Sequence, residues 1–426
     1  LVLGAWFVAR GRASEAADLA RHGLELYPSS PAEAVLWSVV AECERQAWRI
    51  DEAQAALQRG YAALAACPEP EPVERDLLAA ETRLWIALGL PDVASKPLAR
   101  LLELAQSATP EEREIASEIE VSWDLATERF DDVIAVLGDD PQGLSTTLRF
   151  ALAAAHAERE RLAGACPAEA IALLEELLAD ETAPPRVLGA AGLRLAEIYL
   201  RAGNEGRARE LVEGLAAQPP PTDIEECLRL ETTRARLELS SGAPRDKLAD
   251  RRRALKTSFE SALAARAGIA LRRGGVGHLH FLSIRTALSE LVELIRRLEG
   301  PEAALDELIA VREIGSLARS LGGPPATLAA IRAGALPPGG GILAYLPGTE
   351  RSHVFLIDAQ EVRCEELPAL WTWNAKRDAL QHMLLHPPAP DEPGEVRARL
   401  DELLGELAAV LLPPGVQGEL GTWTEV

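Results

Sequence analysis

Apolar residues recur three and four positions apart along most of the chain, the spacing that gathers them on one face of an α-helix. The pattern changes once, between Pro337 and Leu367. There the turn signal Pro337-Pro338-Gly339-Gly340-Gly341 opens a short apolar run, Ile342 to Leu346, closed by Pro347-Gly348. A second run, Ser352 to Ile357, meets a third, Val362 to Leu367, across Asp358-Ala359-Gln360-Glu361. Short apolar runs with tight connections predict three strands. A hairpin centred on Ala359-Gln360 pairs Phe355 with Cys364 and leaves His353 diagonal to that cysteine on the same face. Two helices are expected before the strands, from Leu279 to Leu298 and from Pro301 to Leu321, the second started by Pro301 after Gly300. Two more are expected after them, from about Ala375 to Leu385 and from Glu395 to Leu411, with Leu412-Pro413-Pro414 leading toward a further strand.

Within the helical stretch, small and aromatic residues return at fixed offsets. Leu3-Gly4, Phe7, Ala16, Ala20, Gly23 and Pro28 form one set; Trp37, Ala41, Ala53 and Gly60, ended by Cys67-Pro68, form the next. More degenerate sets follow: Leu84 to Gly89 with Pro97 to Ala105, Ile119 to Thr127 with Asp131 to Leu137, and Leu148 to Leu162 with Ala168 to Leu178. The clearest late copy is Leu195 to Tyr199, Gly203, Ala208 and Leu211 to Leu215, ended by Pro219-Pro220-Pro221. Glycine and alanine let the two helices of a unit approach, while Trp, Tyr and Leu fill the space against the next unit. In these offsets the chain resembles the tetratricopeptide repeat, a helical hairpin of ~34 residues, in about six units, the first lacking the start of its first helix. The resemblance implies a mostly α fold, a right-handed α-solenoid stabilised by stacking, whose groove takes a protein or peptide ligand. From Ile224 to about Gly300 the repeat blurs into longer helices, and Arg245 to Lys256 form a basic cluster. It reads as a solvated helix face beside opposite charges; the alternative is a docking patch for an acidic partner.

Charge and composition narrow the function classes. A formal net charge of −22 makes a phosphate-tracking surface improbable, so nucleic acid is not an expected partner. The apolar opening, Leu1 to Ala9, is far short of the ~20 residues that span a bilayer, and no membrane or export signal is read. Cys43, Cys67, Cys166, Cys227 and Cys364 are odd in number, scattered, and without a CxxC pair. That favours free thiols in a reducing, cytoplasmic setting over disulfides or a zinc site. Both ends read as cuts from a longer protein.

The strand region carries a second resemblance. A helix from Ala326 to Ala333 followed by GALPPGGGILAYLPGTERSHVFLIDAQEVRCEELP resembles the opening of a CHAT domain, the caspase-like domain that follows tetratricopeptide repeats. The shared features are the Pro-Gly lead-in, a first strand ending in Tyr345, an apolar second strand, and a third strand followed by Leu367-Pro368. The resemblance implies a partial α/β, caspase-hemoglobinase-like domain over residues 322–426, after repeats over 1–223 and connecting helices over 224–321. It also implies a parent cysteine peptidase with a His-Gly and a Cys nucleophile. No QAC-x-G-like sequence occurs here, so those residues carry over to no position. The segment is expected to be noncatalytic, an arm regulating the peptidase; a non-enzymatic scaffold with a degenerate CHAT-like domain is the alternative.

No catalytic, cofactor-binding or metal-ligating residue is therefore assigned, and no cofactor is expected. His22-Gly23 lies inside a repeat helix. Cys364 sits among alternating apolar residues, which suits a core thiol better than a partner of His353. His382 and His386 have i, i+4 spacing, but Met383 stands where a metalloprotease helix places glutamate. His278 and His280 read as structural. Gly274-Gly275-Val276-Gly277 has neither a preceding strand nor a Lys-Ser ending. Trp371 and Trp373 read as packing groups beside the sheet.

Overall fold

The computed structural model describes residues 13–27, 32–65, 67–68, 70–138, 141–218, 223–272, 282–314, 327–334, 336, 339–385 and 393–420. Leu3, Gly4, Phe7, Pro28, Pro219 to Pro221, Gly274 to Gly277, His278, His280, Pro337, Pro338 and His386 lie outside the described residues. Among the described residues the chain is mostly helical with one small three-stranded sheet, and it divides into two compact units, up to Thr233 and from Arg234 onward.

The first unit holds α1 (Ala13–Leu26), α2 (Glu33–Gln46), α3 (Ile50–Leu64), α4 (Pro70–Ala87), α5 (Pro91–Ala105), α6 (Pro110–Ala126), α7 (Phe130–Leu137), α8 (Thr146–Ala163), α9 (Ala168–Ala179), α10 (Pro185–Arg201) and α11 (Glu205–Ala216). The division falls within α12 (Ile224–Ser240). One turn builds the hairpins. At Trp48, Gly89, Glu128, Gly164, Gly203 and Gly242 the backbone is left-handed, with φ between 55° and 75°. In each case the next amide donates to the carbonyl five residues back, as in Arg49 to Glu44, Leu90 to Trp85 and Asn204 to Tyr199, at 2.8–3.0 Å. This closure satisfies carbonyls that a helix end leaves orphaned. Glycine fills four of the six positions, because an L side chain there costs roughly 1–2 kcal/mol.

These turns lie at positions 48, 89, 128, 164, 203 and 242, so they recur every 41, 39, 36, 39 and 39 residues. The period is longer than the ~34 expected from the tetratricopeptide offsets. The first helices account for it: α4, α6, α8 and α10 run 18, 17, 18 and 17 residues. Packing is repeat-like. Each first helix touches its own second helix and the first helix of the next pair, α2 to α4, α4 to α6, α6 to α8 and α8 to α10. Alanines expected at close approaches, Ala16, Ala20, Ala41, Ala53 and Ala208, are all buried. Leu174 and Leu177 of α9 seal against Ala153 and Ala157 of α8 and against Leu195 and Ile198 of α10. Burying each such leucine stabilises the stack by about 1.5–3 kcal/mol.

The second unit holds α13 (Arg245–Arg272), α14 (Leu282–Glu299), α15 (Pro301–Ile314), α16 (Leu328–Gly334), β1 (Ile342–Leu346), β2 (Ser352–Ile357), β3 (Val362–Leu367), α17 (Leu370–Leu385), α18 (Pro393–Leu411) and α19 (Pro414–Leu420). The sheet has order β1-β2-β3 and is antiparallel throughout. Phe355 faces Cys364 and His353 faces Glu366, the register the Ala359-Gln360 turn implies. Every residue of the central strand β2 is buried. Val354 and Leu356 pack with Leu343, Tyr345, Leu367 and Val416. Val416 belongs to α19, so the segment after Leu412-Pro413-Pro414 is helical rather than the expected strand. Pro414 has no amide to contribute to a ladder and suits a first helical turn.

Candidate functional site

Helix α14 is buried on nearly all sides. Ile284, Ala287, Leu288, Leu291, Val292 and Leu294 are each 0% exposed. Yet the same helix carries Ser289, Glu290 and Glu293, no more than 2% exposed, and these need polar partners. The partners come from β2, the turn before it, and α12. His353 Nε2 lies 3.3 Å from Glu293 Oε2, and its Nδ1 lies 3.5 Å from Ser289 Oγ. Ser289 donates to the Arg351 carbonyl at 2.8 Å, and the hydroxyls of Thr286 and Thr349 meet at 2.6 Å. Arg236 donates to Glu290 at 3.1 Å and lies 3.5 Å from Glu350. Arg351 Nε stands 3.2 Å from Glu290 Oε2, an ion-pair distance without hydrogen-bond geometry.

Glu293 is the centre of this junction. Besides His353 it accepts from Arg296 Nε and Nη2 at 2.7 and 2.8 Å and from Arg297 Nε at 2.7 Å. Burial works against its ionisation, but the bonds from His353, Arg296 and Arg297 hold the carboxyl well below the usual carboxylate range. Gly348 permits the assembly. A Cβ there would stand 2.1 Å from the Arg351 carbonyl oxygen and 2.6 Å from Ser289 Oγ, so only glycine lets α14 approach this turn.

Ser289, His353 and Glu293 share the residue types of a nucleophilic triad, but not its working state. The serine proton is committed to a backbone carbonyl, and all three groups are shut from solvent. A nucleophile needs both a free proton path to its base and substrate access. The arrangement therefore fixes β2 on α14. The sequence held no local signal for it, since Ser289 and Glu293 lie 64 and 60 residues from His353.

His353 turns toward α14 rather than toward Cys364. Burial, opposed by Arg296 and reinforced by Glu293, Glu366 and Glu365, pushes the Cys364 thiol up to about 12. A thiol so rarely ionised near neutrality is a poor nucleophile. His22 is exposed on α1, 3.6 Å from Glu25. His382 is exposed on α17. The basic cluster is largely paired: Arg252 with Glu299, Lys256 with Glu307 at 2.7 Å, Arg253 with Asp250 at 3.1 Å, and Arg245 with the Leu298 carbonyl at 2.6 Å. A cleft of about 470 Å³ runs past these side chains.

A second feature lies on the first helices of the hairpins. Glu158 of α8 accepts from Arg161 and from Arg194 of α10, both at 2.7 Å, and Glu197 of α10 accepts three hydrogen bonds from Arg229 of α12, at 2.9, 3.0 and 3.3 Å. Burial opposes the charge on Glu158, but Arg194, Arg161 and Arg201 bring its pKa down to about 2. The first helices thus share a line of ionised, mutually paired groups.

Among the described residues, no helix is long and apolar enough to cross a membrane. No protein-family model and no curated protein matches the chain.

Proposed function

We propose that the chain is a protein-interaction module: a tetratricopeptide-like solenoid arm that takes a protein or peptide ligand, joined to the noncatalytic opening of a CHAT-like domain that regulates a caspase-like cysteine peptidase. The observation that carries this reading is the buried junction, which makes the α14–α15 hairpin and β2 parts of one compact unit. A helix pair built into the core of the strand domain is suited to bias that domain. The partner must bind two states of the domain with different affinity, or it shifts nothing. The tight αL turns and the line of ion pairs on the first helices support a groove for a charged, extended or helical ligand.

Ligand selection tests the arm. Peptides selected on the full chain are expected to lose binding when Arg194 and Arg229 are both changed to Glu; unchanged binding contradicts the groove. The peptidase part is tested on the full-length protein, whose cleavage of a peptide substrate should rise when the selected ligand is added and stay low without it. The second reading is a scaffold without peptidase activity, with a degenerate CHAT-like domain. Absence of cleavage in both states would select it.

A further inference from the structure

Helix α8 carries His156 and Glu160 four residues apart, hence on one face, and α9 brings Glu169 beside them. One ligand atom from each lies within 4.8 Å of the other two. His156 is only 7% exposed, and two groups of opposite demand compete for its Nδ1. Nδ1 stands 2.8 Å from Glu169 Oε2 and 3.3 Å from Arg159 Nη2. A carboxylate only accepts and a guanidinium only donates, so Nδ1 can serve one as N–H or the other as lone pair, never both. One further atom is unsatisfied: Glu160 Oε2 is buried without a hydrogen-bond partner. A positive group already stands among the three ligands, because Arg159 Nη2 is also 3.7 Å from Glu160 and 3.9 Å from Glu169.

We propose that His156 Nδ1 and the carboxylates of Glu160 and Glu169 form a binding site for one divalent first-row cation, which displaces the Arg159 guanidinium. A cation resolves each conflict at once. The Nδ1 lone pair and the Glu169 oxygen both turn to the metal, the orphaned Glu160 oxygen gains a partner, and Arg159, 39% exposed, swings into water. One imidazole and two carboxylates suit a borderline ion such as Zn²⁺. Ligand bonds of about 2.0–2.2 Å require the cluster to contract, which the Glu169 side chain, 64% exposed, is free to do. Any proton on Nδ1 leaves as the ion binds. The ion would clip α8 to α9 within their hairpin. His156 and Glu160 share one face of α8, while Glu169 lies beyond the turn, on α9.

The test is calorimetric titration of Zn²⁺ into the full chain in a Cys166→Ser background, which removes an exposed competing thiol nearby in sequence. Both diagnostic substitutions are at partly exposed side chains, so neither threatens the fold. The parent should take up one ion. Glu169→Gln should weaken it at least ~10-fold, and Arg159→Gln should tighten it by removing the competing charge. Equal binding by the parent and Glu169→Gln, or no uptake by either the parent or Arg159→Gln, overturns the site.

Discussion

Replacing Glu293 by Gln keeps the side-chain shape and removes the charge on which the junction depends. The carboxylate is fully buried and accepts from His353, Arg296 and Arg297. Removing one partner of a buried charged pair costs about 3–5 kcal/mol. Here Arg296 and Arg297 are 31% and 37% exposed, so both can turn to water, and the amide can still meet His353. The expected cost is therefore at the low end, about 3 kcal/mol. In a unit of this size each kcal/mol moves the thermal midpoint by about 2–4 °C, which gives a fall of about 6–12 °C for the transition of the second unit. Peptide-resolved hydrogen exchange on the full chain, beside calorimetry, assigns the loss. Protection should fall together in α14 and β2 while α8 to α11 keep theirs. An unchanged midpoint, or loss in α14 with β2 untouched, would refute the reasoning.

The same carboxyl sets a pH dependence. Its folded pKa is depressed, so its contribution is fully present above the unfolded value of about 4.3 and is lost as pH falls below it; acid unfolding of Glu293→Gln followed by circular dichroism should be flatter than the parent's between about pH 5 and 3. At the hairpin turns, Gly203→Ala should destabilise by about 1 kcal/mol, since φ is 75° and a Cβ meets nothing within 4 Å, while Glu128→Gly, at φ 61°, should be neutral to stabilising in urea unfolding. Native-state alkylation at pH 8 should modify exposed Cys166 and spare Cys43 and Cys364, whose thiols burial pushes to about 12; mass spectrometry of early time points reads the order.

The helical hairpins and the three strands were legible because their signals are local. Periodicity marked the helices, and Pro347-Gly348 and Asp358-Ala359-Gln360-Glu361 bounded the strands so closely that the Phe355–Cys364 register followed. The hairpin period was misjudged for a local reason too, since Trp48 and Glu128 hold the left-handed position that glycine announces elsewhere. Leu412-Pro413-Pro414 was ambiguous, because proline precedes strands and opens helices alike. The junction was not legible at all. Ser289, Glu290 and Glu293 look like the polar stripe of a surface helix, and only the strand laid on α14 turns that stripe inward. Register sets His353 diagonal to Cys364, a pairing the alternating apolar residues already disfavour, and the buried Glu293 decides where its ring points.

Hydrogen exchange on the full chain, with and without a saturating peptide selected on the arm, tests the central claim most directly. The account predicts protection on the first helices around Arg194 and Arg229 together with a change in β2 and α14, and no such distant change in Glu293→Gln. Protection confined to the arm, with β2 and α14 exchanging as in the free protein, would contradict it.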